Sequence, residues 1–241
     1  MNNKGESLTQ NRLGFEKLNI ALGILYKEWY ELISHQLCDS VGMNLELGCG
    51  ASFIDKIIKN IIKSDVFLNS NTDLRIDAME VGLKYENQIS NLILVNVFHH
   101  INNPELFLKS AEKSLLSGGR IIMIEPSNNI WSRFVYKLVG HEKFDTEQIN
   151  WDFESNDPLL DSNQALSWII FKRDYKKFKK LFPEFSLLKK KSMMPFSYLL
   201  SGGHTCNTKV GGIIIKIIRK LERSFFDNQF GIFDLICIEK I

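Results

Sequence analysis

The chain has 241 residues, of which 44% are hydrophobic and 24% charged, and its formal net charge at pH 7 is +2. This composition is close to that of an average globular domain and excludes collagen-like, disordered and coiled-coil chains. The near-neutral charge argues against a dedicated nucleic-acid-binding protein, which usually carries a basic excess. The four cysteines lie far apart without a CxxC pair, which argues against a cysteine-based zinc site and a dense disulfide framework.

The amino-terminal stretch differs from the rest of the chain. Residues 1–12 are polar and contain no apolar core segment, so we expect a disordered tail and no targeting segment. No apolar run approaches the length of about 18 residues that a transmembrane helix needs. These features predict a soluble cytoplasmic protein whose folded part begins at Leu13.

The first half of the folded part alternates predicted helices and strands. Apolar residues recur every three or four positions from Leu13 to Leu37, which predicts a helix. We expect Ser52 to cap a second helix, and a third to begin at Asn103–Pro104 and end at Gly118–Gly119. The segments with strand-like patterns are Met43–Gly50, Ile61–Val66, Asp73–Ala78, Asn91–Phe98 and Arg120–Glu125. This alternation predicts βαβ units in a doubly wound α/β sheet.

The second half is less regular. Residues 127–160 show few periodic signals, and the residues beyond them predict a helix, a strand, a loop, an amphipathic helix and a last strand at Asp161–Leu181, Phe185–Met193, Pro195–Thr208, Ile214–Phe225 and Gly231–Ile238. No linker rich in proline, glycine and serine divides the sequence. We therefore expect a single domain over residues 13–241, in which residues 127–210 contain a substrate-binding insertion.

The segment from Glu46 to Ser52 (ELGCGAS) carries the strongest chemical signal. Glycines in a strand-to-helix turn let the backbone approach a ligand closely, because no β-carbon stands in the way. The N–H groups at the start of a following helix can then bind an acidic ligand group. Asp65 lies at the end of the next predicted strand, near the spacing of about 20 residues expected for an acid that binds ribose hydroxyls. A glycine pair after a strand is weak evidence when it stands alone.

Five further motifs follow in register over residues 42–127. Together with the glycine turn, the sequence resembles class I S-adenosylmethionine-dependent methyltransferases, and most of all the type 11-like small-molecule methyltransferases of the ubiquinone-biosynthesis kind. The segments that carry the resemblance are Glu46–Gly50, Ser64–Asp65, Asp77–Ala78, Asn91–Ile101, Asn103–Pro104 and Leu116–Pro126. The resemblance implies a seven-stranded Rossmann-like sheet whose last strand is antiparallel, with an N-terminal helix and an inserted cap region.

The resemblance also implies S-adenosylmethionine as the cofactor. Glu46 would organise the glycine turn and face the ammonium group, Asp65 would bind the ribose, and Asp77 with the Ala78 backbone would bind the adenine. The cofactor-binding residues that it implies are Glu46, Gly48, Cys49, Gly50, Asp65, Asp77, Ala78 and Asn96. Ser52 replaces the third glycine of the family pattern. Phe53 stands where a nicotinamide dehydrogenase would carry its last glycine, which counts against that class of enzyme.

Methylation of a hydroxyl group requires a group that takes the proton. His99 follows the fourth predicted strand, at the edge of the sheet where ligands of open α/β folds bind. His141 and Glu142 lie in the inserted segment, where a neighbouring His–Glu pair could bind and deprotonate a hydroxyl. We therefore name His99, His141 and Glu142 as candidate catalytic residues, with loop ordering or a surface pair as the alternative. No His/Asp/Glu cluster has metal-ligand spacing in the sequence, and we expect no metal.

The methyl acceptor is expected to belong to one of two kinds of compound. We expect a small molecule or a glycan, since several signatures also resemble bacterial proteins of surface-polysaccharide pathways, and the basic segment 171–191 would suit a phosphate-bearing or lipid-linked acceptor. The helix Ile214–Phe225 is either an ordinary docked helix or a peripheral membrane contact.

Two alternatives to an O-methyltransferase stay open: a C-methyltransferase acting on a quinone-like ring, and a non-catalytic binding protein with this fold. The aromatic residues Trp131, Tyr136, Trp151 and Trp168 either line a pocket or pack in the core.

Overall fold

The computed structural model describes residues 13–14, 17, 19–139, 142–157, 159–203 and 210–241. Seven strands form one sheet in the spatial order β3-β2-β1-β4-β5-β7-β6. Their bounds are β1 Met43–Leu47, β2 Ile61–Asp65, β3 Leu74–Arg75, β4 Ile89–Val95, β5 Leu115–Pro126, β6 Phe185–Met193 and β7 Phe233–Lys240. The first five strands pair in parallel, and β7 is antiparallel to both of its neighbours. The sheet confirms the fold expected from the sequence.

Helices cover both faces of this sheet. Their bounds are α1 Ile20–Ser34, α2 Val81–Lys84, α3 Pro104–Ser114, α4 Ile130–Val139, α5 Leu166–Trp168, α6 Tyr175–Leu181, α7 Ser197–Leu200, α8 Gly212–Phe225 and α9 Asp227–Phe230. Three-residue 3₁₀ turns lie at Ile54–Lys56, Ala78–Glu80 and Phe98–His100, and a π-helical turn at Ile169–Arg173 joins α5 to α6. Among the helices of the described ranges, none is long and apolar enough to cross a bilayer.

The apolar character of β4 and β5 follows from their position in the middle of the sheet. Leu92 and Leu94 face one hydrophobic core together with Met123, whereas Ile93 faces the other core together with Ile122. Side chains alternate between the two faces of a strand, and both faces are covered here, so neighbouring positions are all apolar. The continuous apolar run in the sequence is therefore the signature of a doubly covered strand.

The helix expected after Ser52 is wrong. Only the 3₁₀ turn Ile54–Lys56 forms in residues 48–60, the segment that connects β1 to β2. A parallel crossover usually needs a dozen or more residues, and the glycine turn takes up part of this short connection. The hydroxyl of Ser52 lies 3.1 Å from that of Tyr30 and accepts the N–H of Ile54, whereas the N-cap residue of the shortened turn is Phe53.

Two further helix boundaries differ from the sequence prediction, and one helix was not predicted. Helix α3 ends at Ser114, and Gly118 and Gly119 lie inside β5. The predicted helix Asp161–Leu181 begins only at Leu166, because the Asp161 carboxylate accepts the N–H groups of Asn156 and Asp157 in a turn. Helix α4 was not predicted at all, although strand β6 was predicted at its observed bounds. Residues 127–210, in which the sequence predicts an insertion, therefore also contribute strand β6 to the sheet.

Helix α8 packs on the molecule through charged residues. Arg219 is buried and donates hydrogen bonds to the carboxylates of Glu28, Glu222 and Asp227, at distances from 2.5 to 3.1 Å. Burial alone lowers the pKa of Arg219, but these carboxylates outweigh it and raise the pKa above its usual value. The network joins α8 to α1 and α9. It therefore sets which side of α8 faces the protein.

Candidate functional site

The turn after β1 is shaped by two glycines with positive φ angles. Gly48 has φ of 67° and Gly50 has φ of 47°, a region that side chains with a β-carbon rarely adopt. A β-carbon at Gly48 would lie 2.6 Å from Cγ2 of Val97, which follows β4. The loops after β1 and β4 therefore touch at the carboxyl edge of the sheet, as expected for the ligand-binding edge of an open α/β sheet.

Asp65, the last residue of β2, ties this turn to the second strand. One carboxylate oxygen accepts the Gly50 N–H at 2.9 Å and the other accepts the Phe67 N–H at 3.2 Å. Burial raises the pKa of Asp65, and these backbone hydrogen bonds partly offset the effect. A carboxylate has about four acceptor positions. Asp65 therefore keeps acceptor capacity for a ligand while it holds the turn.

Glu46 lies beneath the turn as a buried acid with an unpaired oxygen. Its side chain is 1% exposed, and Oε2 has no hydrogen-bond partner in the described structure. Burial raises the pKa of Glu46 to about 8, although Ser52 and Lys63 act in the opposite direction. An unpaired buried polar atom costs about 1–3 kcal/mol, so it marks a position where a ligand donor would be stabilising.

A loop after β2 holds the glycine turn from outside. The Asn71 side-chain amide donates to the carbonyls of Gly50 and Ser52, at 3.1 and 2.7 Å, and accepts from Lys63 at 2.7 Å. Sequence reasoning missed Asn71, because no motif marks a residue that acts only through the backbone of a distant turn.

Burial raises the pKa of Cys49 in the glycine turn to about 12, so Cys49 is a neutral thiol and not a nucleophile.

An open cavity of about 330 Å³ lies beyond the ends of β2 and β3. Its lining residues are Val66, Arg75, Ile76, Asp77, Glu80 and Lys84. Asp77 accepts the Met79 N–H at 2.9 Å and thereby caps the turn Ala78–Glu80 at the cavity. Val66 directly follows Asp65, so this cavity continues from the ligand edge that the glycine turn begins.

The loop after β4 is organised by a buried carboxylate from β5. Asn96 has φ of 56° and starts the loop. One oxygen of Glu125, which is fully buried, accepts the N–H groups of Val97 and Phe98 at 2.9 and 2.8 Å. The other oxygen lies 2.6 Å from Nδ1 of His99. Glu125 therefore fixes both the loop backbone and the His99 ring.

His99 sits between two carboxylates. Its Nε2 atom lies 3.3 Å from Oε2 of Glu142, opposite the contact with Glu125. Burial lowers the pKa of His99, but the two carboxylates outweigh burial and raise it to about 10. Burial also raises the pKa of Glu142, yet the contact with His99 wins and lowers it to about 2. In the structure as it stands, His99 is an imidazolium at neutral pH that shares its protons with both acids.

The fold resembles solved structures whose sequences share little identity with this chain. A methyltransferase from Thermotoga maritima matches with a TM-score of 0.58 and 14% identity over 94% of each chain. A methyltransferase from Archaeoglobus fulgidus matches with a TM-score of 0.55 and 14% identity over 94% of this chain and 97% of that one. Both are described as dependent on S-adenosylmethionine. The chain has the class I S-adenosylmethionine-dependent methyltransferase fold.

A third match to this methyltransferase fold is a C-methyltransferase. Geranyl diphosphate C-methyltransferase from Streptomyces coelicolor, in complex with Mg²⁺, geranyl diphosphate and S-adenosyl-L-homocysteine, has a TM-score of 0.53 and 10% identity over 94% of this chain and 84% of that one. No protein-family model matches the sequence, and no curated protein matches it. Support for the fold therefore comes from the structural similarity, and sequence comparison adds none.

The residues of this methyltransferase fold fit the cofactor in three places. The unpaired oxygen of Glu46 fits an ammonium donor, Gly48 and Gly50 leave the backbone open, and Asp77 borders a cavity beside Asp65. One feature departs from the expectation. The helix after the turn is shortened to Ile54–Lys56, so the anion site expected at its amino terminus is not built from a full helix.

The structure brings together only some of the candidate catalytic residues. His99 and Glu142 are in contact, whereas His141 lies outside the described residues. From the sequence, Glu125 at the end of the fifth predicted strand either faces the active site or caps a neighbouring loop. The structure instead makes it the group that orients His99. The sequence separation between Glu125 and His99 carries no signal of this contact, because it arises from the pairing of β4 with β5.

The aromatic residues near this edge mainly pack and hydrogen-bond within the protein. The indole N–H groups of Trp131 and Trp151 donate to the Pro195 carbonyl and to the Asp174 carboxylate, both at 2.9 Å. Tyr136 stacks on Phe144 with ring centroids 5.1 Å apart, and its hydroxyl donates to the carbonyl of Ile232. Trp168 packs against the core below β4 and β5. These contacts favour the packing alternative over a pocket lined by all four rings.

Proposed function

We propose that the chain is an S-adenosylmethionine-dependent methyltransferase that transfers a methyl group to an oxygen atom of a small molecule or a glycan. The observation that carries this proposal is the buried carboxyl of Glu46, whose Oε2 has no partner, beneath the Gly48–Gly50 turn in this fold. A buried polar group without a partner is rare in a stable protein. A cationic donor on a ligand would satisfy it.

The proposed binding residues divide the cofactor among three parts of the edge. Glu46 and the backbone of Gly48, Cys49 and Gly50 would hold the methionine part, together with Asn96. Asp65 would accept from the ribose, and Asp77 with the backbone of Ala78 would hold the adenine at the cavity. The cofactor supplies a methyl group already activated on a sulfonium. The protein therefore needs mainly to align the acceptor and exclude water.

His99 and Glu142 would bind the acceptor hydroxyl. Both side chains lie at the loop whose Val97 touches Gly48, so they belong to the same edge as the cofactor residues. Glu142 is about one-third exposed, which leaves it accessible to a ligand. The hydroxyl proton must leave as the oxygen attacks the methyl group. His141 and Glu142 are the residues proposed to receive it, and the His99 imidazolium would stabilise the oxygen.

Calorimetry with S-adenosylmethionine and S-adenosylhomocysteine tests the cofactor assignment. We expect micromolar binding and a higher melting temperature with ligand, since a ligand that binds the folded state stabilises it. Glu46→Gln should weaken binding by about 10-fold or more, because an ionic hydrogen bond is worth about 1.5–3 kcal/mol. Glu112→Gln is the matched control, since Glu112 also has an unpaired oxygen but lies at the far end of α3.

The two outcomes separate clearly. Loss of binding in Glu46→Gln with normal binding in Glu112→Gln would support the assignment of the methionine part to this turn. Folded wild-type protein that binds neither compound would overturn the proposal and leave a binding protein with this fold. Once binding is established, product analysis with phenolic, sugar and quinone-like acceptors distinguishes O-methylation from C-methylation.

A further inference from the structure

Two neighbouring histidines are anchored in the same way. Nδ1 of His99 lies 2.6 Å from the Glu125 carboxylate, and Nδ1 of His100 lies 3.1 Å from the Asp161 carbonyl. An oxygen acceptor beside Nδ1 favours a hydrogen on that nitrogen, so the other ring nitrogen is the one that can bind a metal ion, with release of any proton it carries. This is the outer-shell arrangement found for histidines that ligate metals. If His99 only shared a proton with Glu142, the hydrogen bond that orients His100 would have no role in that contact.

The free ends of these side chains converge. One ligand atom from each of His99, His100 and Glu142 lies within 4.8 Å of the other two. The Glu142 oxygen nearest His99 also accepts from Ser162 and Gln164, both at 3.2 Å, so the carboxylate is oriented by its neighbours.

We propose that His99, His100 and Glu142 bind a divalent transition metal ion, of which zinc is the best match. Two imidazoles and one carboxylate form a ligand set typical of zinc and iron sites with an open position. Ligands at about 2.0–2.2 Å around a tetrahedral ion lie about 3.4 Å apart. The 3.3 Å separation between His99 and Glu142 fits that value, and a ring nitrogen of His100 lies within 4.8 Å of both ligand atoms.

The role of this ion deepens the proposed function and rests on it, whereas its binding does not. An ion at this position keeps a coordination site free for an acceptor oxygen. A coordinated hydroxyl loses its proton more readily, because the metal stabilises the oxyanion. The three ligands would then position the acceptor through the ion, and the hydroxyl proton would pass to solvent or to a nearby carboxylate.

Metal titration of the chelator-treated full chain tests the site directly. We expect one equivalent of Zn²⁺ to bind, and Co²⁺ to give the intense visible bands of a tetrahedral site. His100→Ala and Glu142→Gln should each weaken binding by at least about 10-fold. His35→Ala is the matched control, because His35 is an exposed histidine at the end of α1.

Each outcome decides the metal proposal separately from the methyltransferase proposal. S-adenosylmethionine binding is measured on the same samples, so metal binding can fail while cofactor binding persists, or the reverse. Equal Zn²⁺ affinity in wild type, His100→Ala and Glu142→Gln would overturn the site. No stoichiometric binding of Zn²⁺ or Co²⁺ by folded wild type would overturn it as well.

A different observation, the orientation of helix α8, carries a second proposal. Its charged residues Arg219 and Glu222 are buried, whereas its apolar stripe faces solvent. The stripe consists of residues at helical spacing that are each more than half exposed: Ile214, Ile217, Leu221 and Phe225. A surface helix normally turns such a stripe towards the core. The helix therefore docks through the side that carries Ile215, Arg219 and Glu222, and not through this apolar stripe.

Helix α4 extends this exposed apolar area. Ile130, Phe134 and Leu138 on α4 are also more than half exposed. A chain of ring contacts leads from α4 to Phe226, the residue that follows α8, with centroid distances of 5.4 to 5.8 Å along Phe134–Trp131–Phe196–Phe226. We name the exposed side chains of α4 and α8 the apolar–basic face. An apolar area shared by two helices marks an interaction surface more strongly than scattered exposed residues do.

The exposed charges of this face are all positive. The only acid on either helix is Glu222, which is buried against Arg219. The exposed cations on the two helices are Arg133, Lys137, Lys216, Lys220 and Arg223. Two copies of the chain docked through this face would bring these like charges together. A surface that is apolar and negatively charged would instead match both features.

We infer that the apolar–basic face docks onto an anionic lipid surface. Apolar side chains of α4 and α8 would enter the boundary of headgroups and acyl chains, while the cations remain among the headgroups. Anionic lipids attract such cations and the attraction falls with salt. Binding therefore requires both the apolar stripe and the positive charge.

Vesicle sedimentation tests this inference. We expect the full chain to sediment with phosphatidylcholine–phosphatidylserine vesicles, but not with pure phosphatidylcholine, and to be released by high salt. Ile217→Gln with Leu221→Gln should abolish sedimentation, and Lys216→Glu with Lys220→Glu should do the same. Leu83→Gln is the matched control, because Leu83 is a largely exposed leucine on α2, away from this face.

Light scattering of the same variants separates the lipid surface from a second copy. A monomer that sediments only with anionic vesicles supports the inference. A dimer that the Ile217→Gln, Leu221→Gln variant converts to a monomer would overturn it in favour of self-association. Failure of the wild type to sediment with anionic vesicles would overturn it too.

Discussion

Gly48 and Val97 face each other so closely that the glycine has no room for a side chain. A β-carbon at Gly48 would lie 2.6 Å from Cγ2 and 2.9 Å from Cγ1 of Val97. The φ angle of 67° at Gly48 adds a second obstacle, because a β-carbon strains this conformation. The contact joins the loops after β1 and β4, so it sets the geometry of the ligand-binding edge.

Gly48→Ala should therefore destabilise the protein by about 2–5 kcal/mol. The left-handed conformation accounts for about 1–2 kcal/mol and the overpacking against Val97 for about 1–3 kcal/mol. Urea unfolding followed by circular dichroism measures the change. Gly118→Ala is the matched control, since Gly118 has φ of 74° but its nearest neighbour would be 3.9 Å away. Equal losses in the two variants would show that the Val97 contact is relaxed at little cost.

The strands were predictable from sequence because their environment leaves a local signal. Residues of β4 and β5 are apolar at neighbouring positions since both faces of these strands are covered. After Ser52 the sequence misled, because the apolar residues have helical spacing but only the short turn Ile54–Lys56 forms. The spacing reports which side chains are buried, but the length of the connection between β1 and β2 decides whether a helix fits.

The contacts of the candidate site could not be read from sequence for a different reason. His99 meets Glu125 and Glu142 only because β4 pairs with β5 and a later segment folds over both. Likewise, the spacing in α8 revealed an apolar stripe but not its direction. That direction depends on Glu28 and Asp227, which come from other helices and hold Arg219 inside.

The buried acid Glu46 should make stability fall as pH rises. Its pKa is about 8 in the folded state, above its usual value of 4.5, because burial disfavours the charge. The folded state then binds more protons than the unfolded state between these values. The contribution is fully present below about pH 4.5 and is lost as pH rises through 8, with a slope of about 1.4 kcal/mol per pH unit.

Unfolding of Glu46→Gln from pH 5 to pH 9 measures this effect. The variant has a neutral side chain of the same shape, so its stability relative to wild type should increase up to about pH 8 and then level off. Glu154→Gln, at an exposed position, is the control for a general effect of removing an acid. Parallel pH profiles of wild type and Glu46→Gln would mean that Glu46 is charged at neutral pH.

The buried Arg219 should be one of the most sensitive positions in the second half of the chain. Arg219→Leu would leave the carboxylates of Glu28, Glu222 and Asp227 buried without their shared cation. Removal of one partner from a buried ion network costs about 3–5 kcal/mol. Urea unfolding at pH 7 measures this loss, and it should shrink at pH 4, where protonation relieves the repulsion.

Arg223→Ala is the matched control for that variant. Arg223 also pairs with Glu28, at 2.8 Å, but its side chain is 54% exposed. An exposed ion pair contributes about 1 kcal/mol or less, so this change should be small. Losses of similar size in the two variants would contradict a network that depends on burial.

Arg173 and Asp174 should hold the segment that carries Glu142. The Arg173 guanidinium donates to the carbonyls of Thr146 and Gln148, at 2.7 and 2.8 Å, and Asp174 accepts from Trp151. Arg173→Ala removes two of these bonds, and a net hydrogen bond is worth about 1 kcal/mol. Hydrogen exchange in residues 145–157 should therefore become about five-fold faster or more, while β4 is unchanged. Lys172→Ala, at a neighbouring exposed position, should leave exchange in both regions as in wild type. Unchanged exchange in Arg173→Ala would mean that the packing of Trp151 alone fixes this segment.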